Sequence, residues 1–350
     1  IKAWIGGKYG ENKEQSVLNG LYCRWRISAV AMVDAGEIPV VGGDMSDNLR
    51  GALLMMASMA AFTFNDTFMK ALAGDAPLFQ LIFMRGLLTT TLIALFAWHK
   101  GVFVVRLPRR DWGFIGLRMF AEIGGAYFFL TALFNMPLAN VTAILQSLPL
   151  TVTLAAAAFL GMPVGWRRWS AILVGFVGVM IIVRPGPDGF NLYSIYALIS
   201  VLFVTLRDIS TRQLSKATPS LLVTVATSGS VMVFFGLANL NAEWVPLSIE
   251  SWSLMIGSAV MVTAGYMLSV MVMRVGEISF VAPFRYTGLL WALLMGWVVF
   301  DEWPTTLTLL GASIVVASGI FMLYREGQVK RAQAKIRRTE AQSIANRSLK

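Results

Sequence analysis

The chain has 350 residues, 57% of them hydrophobic and 14% charged, with a mean hydropathy of +0.67 and a formal net charge of +10. A soluble domain carries about 25% charged residues, so a water-soluble enzyme is excluded, and a basic excess that lies in the membrane-flanking loops and the tail reads as membrane topology rather than nucleic-acid binding. One cysteine (Cys23) and one histidine (His99) rule out an internal disulfide, a Cys/His zinc site and any catalytic triad built on histidine, so neither cofactor nor metal is expected.

Residues 1–45 mix Asp, Glu, Pro and Gly with apolar residues. The stretch ISAVAMVDAGEIPVV within them is too short and interrupted to span a bilayer. They are expected to be a disordered or artefactual extension, with MSDNLR reading as a natural start. From residue 51 onward, apolar runs of about twenty residues follow one another, each long enough to cross a hydrocarbon core of about 30 Å. Ten spans are predicted, at about 51–70, 77–97, 112–132, 138–160, 167–184, 192–213, 218–239, 252–273, 279–300 and 305–324. A basic tail, 326–350, follows.

An ionisable side chain in a bilayer costs about 2.5 kcal/mol or more, so each one asks for a partner or a watery cavity. The first span ends in AFTFNDTFMKAL, with Asp66 and Lys70 four residues apart. The sixth repeats the spacing with Asp208 and Arg212 in FVTLRDISTRQL. Such i,i+4 pairs meet on one helix face and are read as gates, one at each mouth, or as simple helix anchors. Arg85 in the second span reads as snorkelling or packing.

In the third span Arg118 and Glu122 share a face beside Gly124-Gly125. Glu122 is the candidate carboxylate for proton or substrate binding, because a buried acid without a committed partner suits proton coupling; the alternative is a permanent bridge to Arg118. Arg285 and Tyr286 follow Pro283 in the ninth span, where a bent helix start could hold a carboxylate or phosphate and stack on a ring. Tyr127, Asn140, Gln146 and Tyr266 add neutral hydrogen-bonding groups, for substrate or for neighbouring helices.

Basic residues concentrate in alternate loops: Lys100, Arg106, Arg109 and Arg110, then Arg167 and Arg168, then Arg212 and Lys216, then Arg274 and the tail, against only Lys70 and Arg184 in the others. The positive-inside rule puts both termini in the cytoplasm. Landmarks recur at an offset of about 140 residues: Asp66 with Asp208, Ala126-Tyr127 with Gly265-Tyr266, FLGMPV with FDEWP. Each half, 46–186 and 190–325, holds five spans. Five is odd, so the second half must enter the membrane inverted. The expected fold is an all-α polytopic membrane protein, ten transmembrane helices in two inverted five-helix repeats that alternate access to a central site.

The stretches NDTFMKAL (65–72), Phe83-x-Arg85, LPLTVTLAAAAFLG (148–161), GFVGVMIIVRPG (175–186), VAPFRY (281–286) and FDEWP before Gly311-Ala312 resemble the drug/metabolite transporter superfamily. Over about 46–325 the chain resembles its ten-span EamA-type carriers, and within them the S-adenosylmethionine uptake transporters; riboflavin importers share the plan. The resemblance implies a secondary carrier of the bacterial inner membrane, bringing in a medium-sized polar metabolite such as S-adenosylmethionine, riboflavin or an amino acid. An exporter of the same fold is the alternative, with a membrane-embedded transferase behind it. The lipid bilayer, protons and a second copy of the chain are the further partners to consider. Where the first repeat of such carriers has Glu, this chain has Met162, leaving Glu302 alone in that role.

Overall fold

Inside a bilayer no water satisfies backbone N–H and C=O groups, and a helix closes all of them within one segment. The apolar runs accordingly become ten long helices. The computed structural model describes residues 47–104, 107–161, 165–183, 191–215, 218–272, 275 and 278–348; the expectations for residues 1–45, Met162, Arg106, Lys216 and Arg274 lie outside them. The helices are α1 (Asp47–Ala71), α2 (Leu78–His99), α3 (Arg109–Asn135), α4 (Leu138–Leu145 and Leu148–Leu160), α5 (Trp166–Val183), α6 (Leu192–Arg212), α7 (Ser220–Ala238), α8 (Ile249–Val272), α9 (Ile278–Val281, a 3-10 turn Ala282–Tyr286, and Thr287–Phe300) and α10 (Thr306–Ser348). All ten are long and apolar enough to cross a membrane. The spanning part of α10 is Thr306–Arg325, and the helix runs on without a break through the basic tail.

Proline sets several starts. Pro77, Pro108, Pro137 and Pro219 stand immediately before α2, α3, α4 and α7, where a fixed φ is useful and a missing N–H costs little. α4 and α9 end alike, on a left-handed residue: Gly161 at φ 61° and Asp301 at φ 53°. Both are also interrupted part-way, α4 at Gln146-Ser147 and α9 at its 3-10 turn.

The largest interfaces run between the halves, not within them. α1 packs along α8 and α3 along α6, while α2 meets α7, α4 meets α9 and α5 meets α10. Exchanging the halves turns α1–α8 into α6–α3 and returns every other pair to itself, as a two-fold relation requires. The contacts repeat in detail. A side chain on Gly124 of α3 would strike the Phe203 ring of α6 at 2.4 Å, and one on Gly265 of α8 would strike the Phe62 ring of α1 at 2.9 Å.

Polar clamps repeat as well, with donor and acceptor exchanged. Asp111, at the start of α3, accepts hydrogen bonds from Ser215 (Oγ, 2.6 Å) and Thr218 beyond the end of α6. Ser251, at the start of α8, donates to Asp75 (2.6 Å) beyond the end of α1. The sequence repeat thus builds two interleaved pairs, α1–α8 and α3–α6, rather than two five-helix blocks side by side.

The α5–α10 seam is close because it is glycine-lined. A Cβ on Gly311 would lie 2.6 Å from the Gly178 carbonyl oxygen and 3.2 Å from the Ile182 amide nitrogen. Backbone cannot yield as a flexible side chain can, and overpacking costs about 1–3 kcal/mol. Gly311→Ala is expected to lower the detergent melting temperature by several degrees, whereas Gly113→Ala, with open space around it, is expected to leave it unchanged; differential scanning fluorimetry checks both.

Candidate functional site

Charge gathers where α3 and α6 cross. Glu122, midway along α3, accepts a hydrogen bond through Oε1 from the Tyr266 hydroxyl of α8 at 3.3 Å, and the same oxygen lies 3.6 Å from Arg207 Nη1 of α6. Arg207 also bridges its neighbour Asp208, with Nη2 and Nε both 3.0 Å from Oδ1. Arg118, one turn before Glu122, donates to the Thr211 hydroxyl of α6. On the other side, Arg85 of α2 stands within electrostatic reach of Asp66, Tyr266 and Glu122. Asp66 accepts from Asn65 Nδ2 at 2.9 Å, and Asn65 Oδ1 accepts from Ser258 of α8 at 2.8 Å.

Arg85, Arg118 and Arg207 therefore face Asp66, Glu122 and Asp208, a cluster whose formal charges cancel. Its hydrogen bonding is incomplete. Glu122 Oε2 and Arg118 Nε are both buried without a partner. Buried polar atoms are seldom left so, and an unmet acceptor beside an unmet donor is what a site for a small polar ligand requires. Aromatic rings wall this region: Phe128 stacks on Phe203 at 5.7 Å, Phe120 and Tyr196 meet them edge-on, and Phe62 meets Tyr266 at 5.4 Å.

Two expected pairings do not form, and neither does the bridge from Glu122 to Arg118, the alternative for that acid. Asp66 turns to Asn65 rather than Lys70, Asp208 is bridged by Arg207 rather than Arg212, and Glu122 pairs with Arg207 and Tyr266 rather than Arg118. The reason is common to all three: an i,i+4 pair contributes only a few tenths of a kcal/mol, and a helix packed alongside offers better-placed partners. Arg212 is exposed at the end of α6. Lys70 makes the tightest ion pair among the described residues. Its Nζ donates to both carboxylate oxygens of Glu302 at 2.7 and 2.8 Å and to the Met136 carbonyl at 2.6 Å. The Leu138 amide closes the cluster on Glu302 Oε2 at 3.1 Å, and the ammonium lies 5.1 Å from the Phe300 ring centre.

The remaining sequence candidates make no hydrogen bond or ion pair to the charged cluster among the described residues. Tyr127 packs edge-on to Phe79 and Phe128. Gln146 is buried at the break in α4, near Gly288 of α9. Tyr286 is buried with its hydroxyl against Gly319 of α10, where a Cβ would be 1.7 Å away, and Arg285 beside it is half-buried in the 3-10 turn. Arg207 escaped sequence reasoning. Its signal was a cation more than a turn inside an apolar helix, overlooked because Asp208 and Arg212 matched the first-half spacing.

The sequence matches the EamA-like transporter family twice, over residues 49–184 and again over 191–325. The chain belongs to the EamA-like transporter family. This EamA carrier is 31% identical to a riboflavin transporter of Vibrio cholerae, over 66% of its own length and 78% of the relative's. It is 24% identical to an S-adenosylmethionine uptake transporter of Rickettsia felis, over 79% and 94% respectively. It is 26% identical to the pseudopaline exporter CntI of Pseudomonas aeruginosa, over 76% and 94%. A solved crystal structure, 15% identical, superposes with a TM-score of 0.58 over 79% of this chain and 98% of that one, a likeness of fold. The EamA carrier is thus a multi-pass membrane transporter of small molecules. Its charged cluster draws Asp66, Arg85, Arg118 and Glu122 from the first family repeat and Arg207, Asp208 and Tyr266 from the second.

Proposed function

We propose that this EamA carrier takes up a medium-sized polar metabolite across the bacterial inner membrane, by secondary transport and without catalysis, with both termini in the cytoplasm. The charge-balanced cluster around Glu122 is the substrate site, and its two unmet buried atoms carry the reading. A cluster that already balances its own charges favours a cargo of no net charge or a zwitterion, whose anionic part would meet Arg118 and whose donor would meet Glu122. The aromatic walls favour a cargo with a ring. The named relatives span riboflavin, S-adenosylmethionine and pseudopaline; riboflavin, uncharged and ring-bearing, fits both features, S-adenosylmethionine fits the ring but carries a net positive charge, and the uptake direction follows the S-adenosylmethionine relative. The α1–α8 and α3–α6 pairs are the moving units, hinged across the interrupted α4 and α9, since broken helices at a repeat interface are where such carriers bind and bend. Lys70 with Glu302 gates one mouth, while Asp66, Asp208 and Arg212 belong to the path between site and mouths.

Uptake of labelled riboflavin, S-adenosylmethionine and an amino-acid panel into cells with and without the carrier is the test, with preloaded cells measuring efflux. Flat uptake and flat efflux for every compound would end the reading, and efflux alone would reverse its direction. Glu122→Gln removes the carboxylate charge while nearly preserving shape. It is expected to reduce concentrative uptake at least tenfold with membrane insertion unchanged. Normal concentrative uptake by this variant across pH would remove Glu122 as the proton- or substrate-binding group.

A further inference from the structure

A cavity of about 220 Å³ opens at the start of α5, lined by Gly165, Trp166, Arg167, Arg168 and Arg325. Three of the five lining residues are arginines from two helices, and none is acidic. At about 30 Å³ per water, it has room for roughly seven, enough for a phosphodiester and its nearest carbons. We propose that this cavity binds the headgroup of an anionic phospholipid in the leaflet on the basic side of the carrier.

The first argument is charge and shape. Planar guanidinium forks suit phosphate oxygens better than any other cation, and the first turn of α5 adds the positive end of an 18-residue helix. One Arg325 donor is engaged, by Gln328. Among the described residues no carboxylate bridges Arg167, Arg168 or Arg325.

The second argument is position. Arg325 ends the spanning part of α10, and Trp166, beside Arg167 at 5.4 Å, is 73% exposed. Indole rings at that level mark the membrane interface. Below them Leu173, Val177 and Met180 of α5 and Phe321 of α10 present exposed apolar surface, along which acyl chains can lie. A soluble phosphate would use only the arginines; a phospholipid uses both.

Native mass spectrometry of the intact carrier in neutral detergent tests this. Dioleoyl phosphatidylglycerol is expected to be retained at one molecule per chain with at least tenfold preference over dioleoyl phosphatidylcholine. Arg167→Gln/Arg168→Gln/Arg325→Gln is expected to abolish that preference, while Arg109→Gln/Arg110→Gln, on the same face, leaves it within twofold. Should the triple variant fail to fold, Arg325→Gln alone is expected to weaken retention at least threefold. Equal loss in the Arg109/Arg110 variant, unchanged retention in the pocket variants, or no preference over phosphatidylcholine would overturn the proposal. Displacement of the lipid by millimolar inorganic phosphate would also overturn it, reassigning the cavity to a free anion.

Discussion

Replacing Arg207 by alanine is expected to abolish uptake and destabilise the carrier together. Arg207 is the hinge of the charged cluster: it bridges Asp208 at 3.0 Å and faces Glu122 at 3.6 Å, with the three side chains between 17% and 32% exposed. Its removal leaves two acids with one side chain's worth of compensation lost. Breaking a buried ion pair by deleting one partner costs about 3–5 kcal/mol, and partial exposure puts this case near the lower figure. A melting temperature lower by roughly 5 °C follows for a chain of this size. Arg207→Lys keeps the charge but loses the fork that reaches Glu122 and Asp208 together, so its melting temperature should recover further than its uptake does. An Arg207→Ala carrier with ordinary uptake would move the substrate site elsewhere.

Breaking the Lys70–Glu302 pair is expected to open one mouth. The pair ties three parts of the chain on one side of the membrane: the last turn of α1, the link between α3 and α4 through Met136 and Leu138, and the link between α9 and α10. Lys70 is only 9% exposed, so Glu302→Ala strands a cation rather than merely losing a bond. Lys70→Met strands Glu302 instead, a smaller penalty because that carboxylate is 28% exposed. Both variants should raise labelling of a cysteine placed at Ala73 or Trp303 severalfold in a Cys23→Ser background, and both should slow transport. Lys70→Glu/Glu302→Lys should return labelling part of the way, since the attraction survives with its geometry altered. Unchanged labelling in all three would make the pair a helix anchor. The opposite mouth has no matching lock among the described residues, because Arg212 stands exposed at the corresponding position.

Much of the scaffold was legible in residue order because length and hydropathy act locally. Twenty apolar residues must span whatever surrounds them, and an odd number of spans per repeat fixes the inversion. Glu122 also stood out, as an acid near mid-span, and Tyr266 as one of four neutral hydrogen-bonding groups. Their partners were not legible. Spacing within one helix suggests which side chains share a face, but not which helix will be laid against that face. Glu122 and Tyr266 are 144 residues apart and Lys70 and Glu302 are 232 apart, so both contacts depend on interleaving that no local pattern records. The break in α4 was half-visible: Pro149 marks the new start, but nothing near Gln146 forces the first piece to end.

Interleaving has a consequence for synthesis. Lys70 enters the bilayer 232 residues before Glu302 is made. At about 5–20 residues per second the cation waits roughly 10–50 s for its acid. Glu122 waits likewise for Arg207 and Tyr266. A nascent chain therefore carries ionisable groups in the membrane before their final partners have been made. The first five helices cannot complete these contacts as a unit, and the clusters close only when the later helices arrive.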